Sequence, residues 1–173
     1  LLMLDNGSTE EDVPAYQNLA HYDIPIAVVD HHDPDPGAVG PLLGGNVAVL
    51  TRLLGTPFAP DFEGAILVLE EVAEAPYRVD RMLTHLQQAG VLDAVAGVAL
   101  GTFTTGSLDS DTPTQSLEEV FQDHLAGRPY PVVQGLPYGH HLPRCSLPIG
   151  VPVRLHATSA HVSLAAQAPL VDL

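Results

Sequence analysis

Two kinds of proton-handling side chain stand where apolar runs of this chain stop. Glu70 and Glu71 follow Ala65-Ile66-Leu67-Val68-Leu69, and His140 and His141 follow Gly139 in a turn-rich stretch. An imidazole can take the proton of a hydroxyl nucleophile only when its tautomer is fixed, and a carboxylate is the usual group that fixes it. Side chains alternate along a strand, so only one of Glu70 and Glu71 can face a given histidine. The residues alone leave both acids and both histidines open. A serine nucleophile would need a sharp strand-to-helix turn. Gly7-Ser8 and Gly106-Ser107 are the nearest approaches, but Ser8-Thr9-Glu10-Glu11 has the spacing of a capping box and Ser107 lies in a polar loop.

A second chemistry is written at the start of the chain. Asp5 ends the run Leu1–Leu4, and Asp30-His31-His32 end the run Ile24–Val29. Carboxylate and imidazole together suit a divalent transition metal such as manganese, which can neutralise phosphate charge and activate water. Between the two runs, Val13, Tyr16, Leu19 and Ala20 recur at helical spacing. The expected unit is strand–helix–strand, with its acidic residues at the carboxyl edge where open α/β sheets bind ligands.

The elements that must position these acids and histidines are legible in outline. Val47, Val49, Leu50, Leu53 and Leu54 predict an amphipathic helix stopped by Gly55. After the strand that carries Glu70, a helix with the apolar face Val79, Met82, Leu83 and Leu86 should close at Gly90. Glu74, Arg78, Asp80 and Arg81 read as pairs on that helix's surface or as domain contacts. Val95–Leu100 predicts a buried strand. Ser116 and Glu119 form a capping box that opens a helix ended by Gly127, and Pro131-Val132-Val133 a further strand. Leu147–Gly150, Val151–Leu155, His161–Leu164 and Leu170–Leu173 read as short strands of an antiparallel sheet.

Composition bounds the rest. The chain has 173 residues and 46% hydrophobic content, enough for a substantial core and too apolar for wholesale disorder. No apolar run reaches the length of a bilayer span. The net charge is −15 and all six basic residues are arginine, which disfavours nucleic acid as a partner. Residues 1–43 hold eight acidic residues and no Lys or Arg, and the shift coincides with Pro34, Pro36, Gly37, Gly40 and Pro41. Turn-rich composition there predicts a boundary between residues 1–39 and 40–173. One cysteine, Cys145, excludes an internal disulfide and suits a reducing compartment. The first residues carry neither a basic region nor a cleavage site, so no secretory leader is expected, and the chain reads as entered within a strand.

Two resemblances follow from these residues. From about Gly40 onward the chain resembles the C-terminal domain of the LD-carboxypeptidase (muramoyltetrapeptide carboxypeptidase) family. The resemblance rests on Gly44-Gly45-Asn46, Gly55-Thr56-Pro57, Leu69-Glu70-Glu71 with Tyr77–Leu83, Gly101-Thr102-Phe103, Gly139-His140 and Leu147–Gly150, in order. It implies a cytoplasmic serine peptidase without a cofactor, cleaving the L,D-peptide bond to the terminal D-alanine of murein tetrapeptides. Glu70 matches the family's triad acid and His140 its base, which demotes Glu71 and His141. The family's nucleophile sits on a Gly-aromatic-Ser-Asp elbow in an N-terminal domain, and no such elbow occurs here. Residues 1–36 resemble a fragment of the DHH phosphoesterase family, through Asp5-Asn6-Gly7-Ser8 and Asp30-His31-His32. That resemblance implies Asp5 and His31 as ligands of Mn2+ and His32 as a phosphate contact.

The expected fold is α/β, with parallel strands early and a small antiparallel sheet near the C-terminus, preceded by a β-α-β fragment. Three functions compete: the peptidase, a metal-dependent phosphoesterase, and a catalytically incomplete fusion or fragment. The last would associate through exposed apolar area, as a homodimer or with a peptide.

Overall fold

The computed structural model describes residues 27–28, 37–106, 115–157 and 162–167. Asp5, Ser8, His31, His32 and Ser107 lie outside the described residues, as do the proposed first strand and helix and the strand expected at 170–173.

One seven-stranded sheet organises the chain. Its strands are β1 (Ala27–Val28), β2 (Gly37–Asn46), β3 (Ile66–Glu71), β4 (Gly97–Phe103), β5 (Val132–Gln134), β6 (Pro152–Ala157) and β7 (Val162–Ala166), in the order β1-β5-β4-β3-β2-β6-β7. The consecutive pairs β2–β3, β3–β4 and β4–β5 are parallel. Parallel neighbours need crossover connections. These are supplied by α1 (Val47–Thr51), α2 (Pro76–Gln88) with α3 (Val91–Ala94), and α4 (Leu117–Leu125). The outer pairs β2–β6, β6–β7 and β1–β5 are antiparallel. Parallel strands early and antiparallel ones late were both legible in the sequence.

Period-two alternation divides β3 between two cores. Leu67 and Leu69 pack with Val98, Leu100 and Val132 against helix residues including Val47, Val79, Leu83, Leu86, Val120 and Leu125. Ile66 and Val68 pack on the other face with Ala99, Val133, Leu136 and the β6 residues Val153 and Leu155. A strand covered on both faces must be apolar throughout. Replacing a fully buried leucine such as Leu69 by alanine would cost roughly 2–5 kcal/mol.

Of the turn-rich stretch, Gly37, Gly40 and Pro41 lie in strand. Gly37–Pro41 pair with β6, and Leu42–Asn46 pair with β3, so β2 links the parallel and antiparallel parts of the sheet. Gly40 serves close approach rather than chain reversal. A Cβ there would lie 1.9 Å from the carbonyl oxygen of Gly64.

The helices follow their sequence signals with two differences. Ser116 and Glu119 make the expected reciprocal cap: the Glu119 amide donates to Oγ at 3.2 Å and Glu119 Oε2 accepts from the Ser116 amide at 2.7 Å. That amide bond holds the Glu119 carboxyl below its usual range. Pro76 starts α2 where its missing N–H costs nothing, and Gly90 follows its end in the left-handed region at φ 78°. The short α3 beyond Gly90 carried no sequence signal of its own. The first helix is shorter than its apolar spacing predicts. Beyond Thr51 the amides of Arg52 and Leu53 bond three residues back, tightening the chain into turns before Gly55. Leu147–Gly150 is likewise a turn and not a strand, with Gly150 at φ 84° and its amide tied to Leu42.

Candidate functional site

The parallel strands end together at one edge, and β3 delivers both glutamates there. The register between β3 and β4 slips at this point: Leu69 pairs with Leu100, but Glu71 pairs with Phe103. The extra residue on β4 is a bulge, a device that re-aims side chains at sheet edges. Adjacent positions then send Glu70 and Glu71 to opposite faces, into different company.

Glu71 is occupied by structure. Its Oε2 accepts from the Ala48 amide at 2.8 Å, and its Oε1 from Asn46 Nδ2 at 2.8 Å and from the Val72 amide at 3.0 Å. Asn46 in turn caps α1 through Oδ1, which accepts from the Val49 amide. The buried Glu71 carboxylate therefore clamps the β2–α1 corner, with both oxygens engaged.

Glu70 meets the histidine. After β5 the chain stays beside β4, with the Leu136 amide donating to the Leu100 carbonyl and the Thr102 amide to the Tyr138 carbonyl at 2.8 Å. This track carries His140 to Glu70, where Nδ1 lies 3.0 Å from Oε2. The acid's side chain is 3% exposed and the imidazole 64% exposed. A carboxylate oxygen can only accept, so this bond places the proton on Nδ1 and leaves Nε2 of a neutral ring with its lone pair. Gly139, at φ 132°, makes room: a Cβ would sit 3.1 Å from Glu70 Oε2. The sequence spacing of 70 residues is thus closed by two strands' worth of backbone bonds.

The neighbours set the local chemistry. Burial, and then the charges of Glu70 and Cys145, push the Tyr138 hydroxyl up, so it stays protonated beside the acid. Burial pushes the Cys145 thiol up to about 11, which keeps it from acting as a thiolate near neutral pH. His141 is exposed beyond the pair, and no bond ties its side chain to the described residues. Among the described residues, no three His, Cys, Asp or Glu side chains converge as a metal site requires, and no helix is long and apolar enough to cross a membrane. The metal residues proposed from sequence, Asp5 and His31, fall outside the described residues.

A second carboxylate–histidine pair escaped the sequence reading. His124 Nε2 lies 2.8 Å from Asp80 Oδ1 and its Nδ1 3.3 Å from Gln87 Oε1, which joins α4 to α2. Helical spacing carried the signal, because His124 falls on the buried stripe of Val120, Phe121 and Leu125. Asp80 is thus not a purely surface residue, whereas Arg78 does pair with Glu74 one turn away at 3.4 Å.

Comparison with known proteins gives the chain a family and several relatives. Residues 39–155 match the family described as LD-carboxypeptidase C-terminal domain. A Synechocystis sp. protein that carries a carboxypeptidase name is 42% identical over 73% of this chain and 42% of its own length. A Bacillus subtilis protein named as a murein peptide carboxypeptidase is 39% identical over 66% of this chain and 36% of its own. The crystal structure of muramoyltetrapeptide carboxypeptidase from Oxalobacter formigenes superposes with a TM-score of 0.70 at 29% identity, over 92% of this chain and 55% of that one. The chain spans about two fifths of the length of these curated relatives.

Proposed function

The chain belongs to the LD-carboxypeptidase family through its C-terminal domain, and on that premise we propose that it supplies the acid and base of a serine peptidase triad. The reaction is hydrolysis of the L,D-peptide bond to the terminal D-alanine of murein tetrapeptides. The observation that carries the reading is the bond from the exposed His140 ring to the buried Glu70 carboxylate, with Nε2 turned over to chemistry.

Each residue has one task. Glu70 holds the ring in one tautomer and stabilises the imidazolium as it forms, without itself taking the proton. His140 Nε2 accepts the proton of the attacking serine hydroxyl and returns it to the departing D-alanine amine. Water then repeats the cycle on the acyl-enzyme. The serine and the oxyanion donors would come from an N-terminal domain carrying the Gly-aromatic-Ser-Asp elbow, a motif that these 173 residues do not contain. Glu71 and Gly139 serve the structure rather than react. One fixes the corner from which β3's neighbour departs, and the other lets the histidine backbone pass over the acid.

The test is release of D-alanine from a murein tetrapeptide by this chain, alone and mixed with a separately prepared elbow-bearing domain of a relative. Release only in the mixture is expected. Failure of the mixture, when the same two-domain split of the relative regains activity, would remove the peptidase reading.

A further inference from the structure

The chain has six basic residues against 21 acidic ones, and they are not scattered. Three of the six, Arg52, Arg78 and Arg81, line one open groove of about 410 Å³ between α1 and α2. This volume falls within the usual range of small-ligand sites. The groove is a site apart from Glu70 and His140. It lies on the helix-covered side of the sheet, whereas Glu70 points to the opposite face.

Geometry concentrates the charge. Arg78, Arg81 and His85 stand three and four residues apart, on one stripe of α2. Arg52 comes to the same groove just beyond the end of α1. The two guanidinium charges repel at this spacing, and an isolated helix would be less stable for carrying them. Glu74, the acidic residue of the lining, answers one of them, since its carboxylate pairs with Arg78. Arg78 also donates through Nε to the Tyr77 hydroxyl. The side chains of Arg52 and Arg81 have no ion-pair or hydrogen-bond partner among the described residues. Two free guanidinium forks thus face one cleft in a strongly acidic protein.

We propose that this groove binds an oxyanion of a small molecule, a phosphate or a carboxylate, held between Arg52 and Arg81. Guanidinium groups match both anions in bidentate geometry, and they are less strongly hydrated than an ammonium, so desolvating them at a cleft wall is easier. Thr84, also in the lining, offers a hydroxyl donor to the same anion. Arg78 stays with Glu74 and sets the edge of the site. A single acidic side chain against three arginines leaves net positive potential for the ligand to neutralise.

Thermal unfolding of the full chain tests this. Inorganic phosphate and glutarate are added separately, with ionic strength held constant by sodium chloride. A ligand that binds only the folded chain raises the midpoint, by about 3 °C at ten times its dissociation constant. Phosphate alone raising it identifies a phosphate site, and glutarate alone a carboxylate site. Arg52→Gln combined with Arg81→Gln should abolish the rise, and Arg154→Gln, on β6 outside the groove, should keep it. Arg52→Lys with Arg81→Lys, which retains charge without the bidentate fork, should bind at least severalfold more weakly than the native chain. Melting of each variant in chloride alone reports whether its fold is intact. No rise with either anion at about 10 mM, above the usual range of substrate KM values, overturns the proposal. A rise of equal size in the double glutamine variant overturns it as well.

Discussion

Two carboxylate–histidine pairs occupy this domain with burial reversed. At the sheet edge the acid is hidden and the imidazole exposed, with side-chain exposures of 3% for Glu70 and 64% for His140. Between the helices the histidine is hidden and the acid partly open, at 9% for His124 and 41% for Asp80. Hydrogen bonding follows the same reversal. His140 spends one ring nitrogen on its acid, whereas His124 spends both, on Asp80 and Gln87. Proton transfer requires a nitrogen that is both oriented and free. A buried histidine with both nitrogens engaged is suited to holding two helices together. Residue type and distance are nearly the same in the two pairs, so burial and the second ring nitrogen are what separate the pair proposed for catalysis from the pair used in packing.

The comparison breaks most decisively at His140. In the two-domain mixture, His140→Ala should lower D-alanine release by about 10⁶-fold, the loss typical of a triad histidine. The melting midpoint should hardly move, because the side chain is exposed. Glu70→Gln comes next, at about 10⁴-fold, since the amide keeps the shape but presents a donor where the ring needs an acceptor. Its pH–rate profile should lose the limb set by the imidazole. Retained activity in either variant would mean that the exposed pair is no more catalytic than the buried one.

The sequence marked the two residues as candidates but not the physical difference from their rivals. Glu70 and His140 were legible because motif blocks surround them, and strand alternation stated that Glu70 and Glu71 must part. That Glu71 is the one used up by amides depends on the β2–α1 corner, a long-range contact without a local signature. Apolar runs located β3, β4 and β5, since both faces of each are covered and the run is continuous. Gly37–Pro41 misled for a physical reason: glycine marks close backbone approach as well as turns, and only the partner strand decides between them.

The helix pair gives the reciprocal measurement. His124→Ala removes a buried ring and two hydrogen bonds, and should cost about 2–3 kcal/mol of stability. Asp80 loses its partner but remains partly solvated, which limits the penalty. Peptide release by the mixture should be unchanged below the melting transition. A fall in activity without a fall in midpoint would give His124 a part in catalysis and erase the contrast drawn above.

The smallest effect concerns the segment that carries His140. Cys145 sits five residues on, its amide bonded to the Pro137 carbonyl and its thiol pushed by burial up to about 11 from an ordinary value of 9. The folded state therefore keeps its proton at a pH where the unfolded chain has released it. Stability from this group is full below pH 9 and is lost as the pH rises toward about 11. The loss is about 2–3 kcal/mol at most, less whatever solvent reaches the sulfur. Cys145→Ser, which does not titrate there, should flatten the fall in melting midpoint between pH 9 and 11. If native chain and variant fall in parallel, the thiol is not packed as the fold requires. The anchoring of the exposed histidine would then rest on the Leu136 and Tyr138 backbone bonds to β4 alone.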